Sequence, residues 1–297
     1  MYETVRKFWL LGLVALIVAA FAVACGDDDD EDGDDGDETP AATEPADGTP
    51  AGGEIEISGV PELEDGTLTV GSDIAYPPIE FIDEATGDPA GLDIDIANAL
   101  GEVLGVEVEF QNTVFDGLIQ ELLGERFDII MSAMSVNPER DEQVDFIEYF
   151  NAGTGIIVEA GNPEGIQSAE DLCGLNVAAQ QGTIQVDFLE SLNETCDEPV
   201  NILQFQTDPE AVQALLAGQA DAELADYPVA AYSASQNEGD IELVPTNIDP
   251  GPYGIALRPD SDELEDVLQQ AFDQIVEDGT YDEILEKWNL TAGSIES

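Results

Sequence analysis

Residue types that could perform chemistry are concentrated in one stretch, Ser132 to Arg140, with the sequence Ser-Ala-Met-Ser-Val-Asn-Pro-Glu-Arg. It follows the apolar run Phe127 to Met131, which predicts a buried strand leading into a strand-to-helix turn. Such turns bind ligands in α/β sheets, because loop amides and helix N-termini point beyond the carboxyl ends of the strands. Ser132 and Ser135 would add hydroxyl groups, and the planar guanidinium of Arg140 fits a carboxylate.

Arg140 could instead be an ordinary solvated helix residue. The composition favours the binding interpretation, because the chain has only six Lys and Arg. Two of them, Arg6 and Lys7, lie in an N-terminal leader, so one of the few remaining cations stands in this turn.

Composition also narrows the classes of function. The 297 residues, 43% of them hydrophobic, suffice for two lobes of about 100 residues each plus a tail. A net charge of −61 repels nucleic acid and anionic lipid headgroups. The absence of histidine removes the commonest general base and metal ligand. We therefore expect no catalytic residue, no metal and no cofactor.

The N-terminus predicts export. Residues 1–25 have two cations, an apolar run and Ala22-Val23-Ala24-Cys25, the layout of a secretory signal. The end of this segment resembles a bacterial lipobox with Cys25 as the lipidated residue, although Ala22 replaces the usual Leu. The alternative is a single transmembrane anchor. Residues 26–57 are acidic and rich in Pro, Gly and Thr, which predicts a disordered tether.

Two cysteines, Cys173 and Cys196, remain after Cys25 is assigned. Because an exported chain meets oxidising conditions, the simplest prediction is that they pair. Two buried free thiols are the alternative, whereas a zinc site would need more ligands.

Strand and helix patterns alternate from Gly66 onwards. The first series has a strand at Thr67–Gly71, a helix capped by Asp93 and ended by Gly105, and a helix at Phe115–Leu123. A second series follows Gly161-Asn162-Pro163, with strands at 175–179, 201–205 and 220–225 and helices starting near 181 and 208. Two such series predict two α/β lobes. The final strand at 253–257 and the helices at 262–277 and 281–288 are expected to pack back on the first lobe.

Residues 66–290 resemble the solute-binding proteins of ABC importers, family 3, the polar amino-acid group. The matching segments are Gly71 to Phe81, Gly91 to Ala97, Phe115 to Ile119, Met131 to Arg140, Gln181 to Thr183 and Gly279 to Tyr281. The resemblance implies an α/β, two-lobed periplasmic binding protein fold of type II with two hinge crossovers. Lobe 1 would comprise residues 66–157 and 252–297, and lobe 2 residues 158–251.

The resemblance also implies roles for individual residues. Arg140 corresponds to the residue that grips the ligand α-carboxylate, and Asp226 to the acceptor of the α-ammonium. The remaining ligand-binding candidates, from the same motifs, are Asp73, Tyr76, Phe115, Ser132, Ala133, Ser135, Gln181 and Thr183. A receptor for a free amino acid needs a forked donor and an acid on opposite sides, which agrees with this assignment.

The resulting hypothesis is a lipid-anchored receptor on the outer face of the cell membrane that captures an L-amino acid and delivers it to an ABC permease. A neutral polar or basic side chain is favoured, because Asp73 and the negative field oppose a second carboxylate. A sensory binding module is the alternative, followed by a dehydratase-like enzyme on the same fold. Residues 57–297 contain 52 acids and four cations, which favours a halophilic source over an alkaliphilic one.

Overall fold

The computed structural model describes residues 55–295. The predicted leader, Cys25 and residues 26–54 of the predicted tether lie outside the described residues. The tether was predicted to extend to residue 57, but this boundary is wrong, because Ile55 and Ile57 pack against the main hydrophobic core. Within residues 55–295, no helix is both long and apolar enough to cross a membrane.

The described residues form short strands and helices in alternation. The strands are β1 (Thr67–Ser72), β2 (Phe81–Ile82), β3 (Pro89–Ala90), β4 (Glu107–Asn112), β5 (Ile129–Ile130), β6 (Asp145–Glu159), β7 (Asn176–Gln180), β8 (Asn201–Phe205), β9 (Ala222–Asp226), β10 (Ile241–Leu243) and β11 (Ile248–Leu257). The helices are α1 (Leu92–Leu104), α2 (Leu118–Leu123), α3 (Pro138–Asp141), α4 (Ile184–Asn193), α5 (Asp208–Leu216), α6 (Tyr227–Gln236), α7 (Asp262–Glu277) and α8 (Thr280–Trp288).

Helix α1 shows how local sequence and tertiary contacts combine. Its apolar residues recur with helical spacing and face the core, and Gly105 ends it in the left-handed conformation with φ 72°. The prediction that Asp93 caps the helix is wrong, because Gly91 is the N-cap residue. Asp93 is instead buried, and its carboxylate accepts hydrogen bonds from the Ala133 amide at 2.9 Å and the Tyr149 hydroxyl at 2.8 Å.

Two long strands connect the halves of the sheet. The strand order is β4-β1-β5-β11-β6-β9-β7-β8, with β10 also paired to β6. Strands β1, β4 and β5 are parallel, as are β7, β8 and β9. The antiparallel pair β6 and β11 lies between these two sets and forms the two crossovers of a two-lobed α/β fold.

Each set of parallel strands has its own hydrophobic packing. The largest cluster surrounds β1, α1, α7 and α8 and includes the fully buried Tyr149, Tyr253 and Tyr281. Helices α7 and α8 pack on α1, so the C-terminal segment returns to lobe 1 as predicted. Several smaller clusters lie around β7 to β9 and α4 to α6. Each fully buried Leu, Ile or Phe contributes about 1.5–3 kcal/mol to such cores.

The predicted disulfide is confirmed. Cys173 and Cys196 are bonded, with 5.5 Å between their Cα atoms. The bond links the segment before β7 to the loop after α4, and Cys196 packs against the β7–β9 core. The disulfide therefore cross-links the lobe that has the smaller hydrophobic clusters.

Candidate functional site

A cavity lies between the lobes at the carboxyl ends of the parallel strands. Its lining residues are Asp73, Tyr76, Glu80, Phe115, Ala133, Ser135, Arg140, Gln180, Thr183, Ile184, Gln185 and Asp226. Eight of the ten ligand-binding candidates from the sequence belong to this set. The other two, Ser132 and Gln181, lie outside it.

Arg140 is positioned by the one-turn helix α3. Asn137 caps this helix by accepting a hydrogen bond from the Arg140 amide at 2.9 Å, and Pro138 is favourable at its first position. The guanidinium donates to the Ser135 carbonyl at 2.7 Å and, across the cleft, to the Gly182 carbonyl at 3.1 Å. It also lies over the Phe115 ring, 5.3 Å from the ring centre.

The environment of Arg140 differs from that of the other cations. Arg140 is only 7% exposed, and burial lowers its pKa from the usual value, although a guanidinium keeps its proton in proteins. Within residues 55–295 it is the one Lys or Arg without a carboxylate at ion-pair distance; Arg126, Arg258 and Lys287 each have one. A buried charge without a counter-ion is costly, which indicates that an anionic group belongs there.

Asp226 ends strand β9 on the opposite side of the cavity. Its carboxylate accepts hydrogen bonds from Gln185 at 2.9 Å and from the Tyr76 hydroxyl at 3.1 Å. Tyr76 also accepts one from the Asp226 amide at 2.9 Å, so the two residues fix each other across the lobes. Burial raises the pKa of Asp226 to about 6, while these hydrogen bonds oppose the rise. An ammonium group beside this carboxylate would favour its ionised form, so Asp226 can accept an ammonium group.

The turn after β5 places Ala133 and Ser135 in the wall of the cavity. Ala133 has φ 46°, a left-handed conformation that costs energy for a residue with a Cβ. Its amide donates to Asp93. Ser132 lies behind this turn, where its hydroxyl donates to Glu80 and accepts from the Asp73 amide, both at 2.9 Å. Ser132 thus supports the wall of the cavity instead of lining it.

Four lining residues were not among the predicted ligand-binding residues: Glu80, Gln180, Ile184 and Gln185. Gln180 donates to Asp73 across the cleft at 2.6 Å, and Gln185 joins Asp226 to Thr154. Glu80 follows the Tyr76-Pro77-Pro78 segment, so its position within that motif was the available signal. The two glutamines flank the Gln181-Gly182-Thr183 motif and could have been included on that ground.

Several pairs of residues join the lobes across the cleft through hydrogen bonds. Besides Tyr76–Asp226, Gln180–Asp73 and Arg140–Gly182, the Gln181 side chain donates to Asp116 at 2.8 Å. Gly182 has φ 78°, and a Cβ placed there would lie 2.6 Å from an Asp116 carboxylate oxygen and 3.0 Å from its Cα. The lobes thus approach closely enough that only glycine fits.

The region around the cavity is strongly acidic. Six carboxyl groups in and near it are buried and have a raised pKa, caused mainly by burial: Asp73, Glu80, Asp93, Asp208, Glu223 and Asp226. Arg140 is the cation among the lining residues. In the part of the chain that the structure describes, no three His, Cys, Asp or Glu residues are arranged to hold a metal ion.

Sequence comparison identifies similar proteins. Residues 68–291 match the family described as bacterial extracellular solute-binding proteins, family 3. The chain is 33% identical over 244 residues to the arginine-binding protein ArgT of Corynebacterium glutamicum, a match that covers 80% of this chain and 79% of that protein.

Solved structures show the same architecture. An ancestral arginine-binding protein bound to glutamine is 38% identical, with a TM-score of 0.71 over 76% of this chain and 98% of that one. An ancestral amino acid-binding protein described as a precursor of cyclohexadienyl dehydratase is 39% identical, with a TM-score of 0.70 over 76% of this chain and 96% of that one.

Proposed function

The chain belongs to family 3 of the bacterial extracellular solute-binding proteins, and we propose that it captures a free L-amino acid with a cationic or neutral polar side chain. The fold is the two-lobed α/β fold of type II periplasmic binding proteins. The similar proteins are named as amino-acid-binding proteins of transporters, which favours a non-enzymatic role, and we assign that role here.

The observation that carries this proposal is the placement of Arg140 and Asp226 on different lobes around one cavity. A free amino acid has a carboxylate and an ammonium on the same carbon, so it can join a guanidinium on one wall to a carboxylate on the other. Thr183 and Ser135, which line the cavity with Arg140, would complete the carboxylate site, whereas the Ala133 amide already donates to Asp93. Tyr76 and Phe115 would enclose the side chain.

The acidic lining of the pocket supports a preference for a cationic side chain. Asp73 and Glu80 both line the cavity without a second cation, and although burial raises the pKa of both, a cation placed beside them would favour their ionised forms. A ligand with an additional carboxylate would meet repulsion there, whereas a guanidinium or ammonium would be attracted. The similarity to arginine-binding proteins agrees with this preference.

Ligand capture would proceed by closure of the lobes. We assign residues 66–157 and 252–297 to lobe 1 and residues 158–251 to lobe 2, with the hinge at the crossovers in β6 and β11. Because a bound amino acid would contact both lobes, it would stabilise the closed arrangement more than the open one.

The location and partner follow from the family and the N-terminal sequence. An extracytoplasmic location agrees with the family, and we propose a lipid anchor at Cys25. The partner would be an ABC permease that receives the amino acid. Tracer uptake in cells that lack only this protein tests delivery, because uptake of the ligand should fall and return when the gene is restored.

Binding is tested by calorimetry of the purified protein with each of the twenty L-amino acids. We expect one-to-one binding, tightest for a cationic ligand. Arg140→Lys should weaken binding about 100-fold, or about 3 kcal/mol, because Lys keeps the charge but loses the planar fork. Arg126→Lys is the matched control, since Arg126 pairs with Glu121 on the surface, and it should bind normally. Binding of none of the twenty, or normal binding by Arg140→Lys, would refute the assignment.

A further inference from the structure

Two buried carboxyl groups in lobe 2 are not explained by the ligand site. Asp208 is the first residue of helix α5 and Glu223 lies in strand β9. They are 2% and 0% exposed, and neither lines the cavity. Helix α5 packs on β9, and the two carboxyl groups lie close enough to act on each other.

Other residues give this pair little support. In the described part of the chain, no N–H or O–H of another residue lies within hydrogen-bond distance of either Glu223 oxygen or of Oδ1 of Asp208. Two ionised carboxylates at contact distance repel strongly, and neither has a proton to donate. A hydrogen bond between them therefore requires that one carboxyl group keeps its proton at neutral pH.

The surroundings supply no positive charge to the pair. Helix α5 and strand β9 pack against β6, β7, β8 and α6. Residues 158–251 contain no Lys, Arg or His at all. Two charged neighbours influence the pair electrostatically: Asp226, in the same strand, and Asp73, across the cleft. The other titratable neighbour is Tyr76 of lobe 1, whose hydroxyl pKa is raised in part by Asp208 and Glu223.

We propose that Asp208 and Glu223 share one proton near the ligand-facing Asp226, and that the single negative charge of the pair is a specificity-determining element that favours a ligand with a cationic side chain. This proposal rests on the proposed function. The pair acts through space on the ligand site and is a positioning element, not a ligand contact. Asp226 would neutralise the α-ammonium of the ligand. The additional negative charge of the pair would therefore attract a second positive group, in the ligand side chain.

The shared proton gives an unusual dependence of stability on pH. Burial raises the pKa of Asp208 to about 7 and that of Glu223 well above its usual value. The folded protein therefore keeps protons that the unfolded chain releases above about pH 4. The stability contributed by this protonation is complete below about pH 4 and is lost as the pH rises through 7 and beyond.

The first experiment is a melting series of the ligand-free protein at pH 5 and pH 8.5. Asp208→Asn/Glu223→Gln and the single variant Glu223→Gln cannot lose the shared proton, and an amide can still donate to the facing group. The quantity compared is the melting temperature of each variant minus that of the native protein. We expect this difference to be at least about 3 °C larger at pH 8.5 than at pH 5. Glu190→Gln, at an exposed position of α4, is the control, and its difference from the native protein should be the same at both pH values. If the pair variants also differ from the native protein by the same amount at both pH values, the shared proton is overturned.

The second experiment compares L-arginine with L-citrulline, which has nearly the same shape without the side-chain charge. At pH 7.5, the double variant should bind arginine about tenfold more weakly, because removing one negative charge near the ligand site removes part of the attraction for the guanidinium. Citrulline binding should stay within about twofold. Glu223→Gln keeps one charge on Asp208 and should retain the arginine preference.

The outcomes of the second experiment separate the two proposals. An equal loss of affinity for both ligands, or no loss for arginine, would overturn the specificity role while leaving amino-acid binding intact. If the native protein binds no amino acid, the proposed function and the specificity role both fail. The melting series still decides the shared proton in that case.

Discussion

The two lobes differ in how they compensate their acidic side chains. The four Lys and Arg of residues 55–295 all lie in lobe 1, where Arg126, Arg258 and Lys287 pair with carboxylates. Lobe 2, residues 158–251, has eighteen Asp and Glu and no cation. Of the two residues that we propose to bind the charged groups of the ligand, the acid Asp226 therefore belongs to lobe 2, and Arg140 belongs to lobe 1.

Because of this difference in cations, the two lobes must be stabilised by different interactions. Lobe 1 combines a large aromatic core with ion pairs, of which Arg258–Glu62 is the best shielded, with both side chains 13% exposed. Lobe 2 has smaller clusters, so it depends on a covalent cross-link and on hydrogen bonds to its acids. Asp221, for example, accepts from the amide and the side chain of Asn176. The comparison predicts different sensitivities for the two lobes.

The largest expected effect is the loss of the disulfide in lobe 2. Cys173→Ala/Cys196→Ala should reduce the free energy of unfolding by about 3 kcal/mol, the chain-entropy value for a loop of this length. Hydrogen exchange should localise the loss to β7, β8 and α4, with lobe 1 less affected. Reduction of the native protein should reproduce the pattern. An equal loss of protection in both lobes would contradict the comparison.

The second effect concerns the contact between the lobes. Gly182→Ala should weaken ligand binding about 30-fold, or about 2 kcal/mol, because its Cβ would meet Asp116 of lobe 1 and displace the carbonyl that accepts from Arg140. Gly218→Ala is the matched control, with φ 67° but nothing within 4 Å of the added Cβ. It should cost about 1 kcal/mol of stability through backbone strain and leave affinity within about twofold. Similar affinity losses in both variants would show that strain alone is responsible.

Regular elements with a strong hydrophobic period were predictable from the sequence. The bounds of α7 and β8 agree with the predictions, since α7 has a clear amphipathic pattern and β8 is bounded by turn residues. Helix α6 was missed because its Ala- and Ser-rich sequence has a weak period and begins with Tyr227-Pro228. Strand β6 was missed because Gly153 and Gly155 interrupt its pattern.

From its own segment only Arg140 stood out, because cations are rare in this chain. Asp226 and most of the other candidates were predicted from the family resemblance, because each is ordinary in its own segment. Asp93 was misassigned as a helix cap, since its partners Ala133 and Tyr149 are at least 40 residues away. The Asp208–Glu223 pair was not foreseen for the same reason: each acid is ordinary in its segment, and their contact depends on the packing of α5 against β9.

The smallest expected effect is the difference between the lobes in their response to salt. Residues 55–295 contain 52 acids and four cations, so self-repulsion should destabilise the fold at low ionic strength. Raising NaCl from about 0.1 M to about 1 M shortens the screening length from about 10 Å to about 3 Å and removes most repulsion between neighbouring acids. Because lobe 2 has no cation, its protection against hydrogen exchange should rise by about 1 kcal/mol more than that of lobe 1. Sucrose stabilises compact states without screening charge, so it should raise the protection of both lobes alike. If NaCl also raises both alike, or leaves the melting temperature unchanged, the acids of lobe 2 are spaced widely enough not to interact, and the predicted adaptation to high salt is wrong.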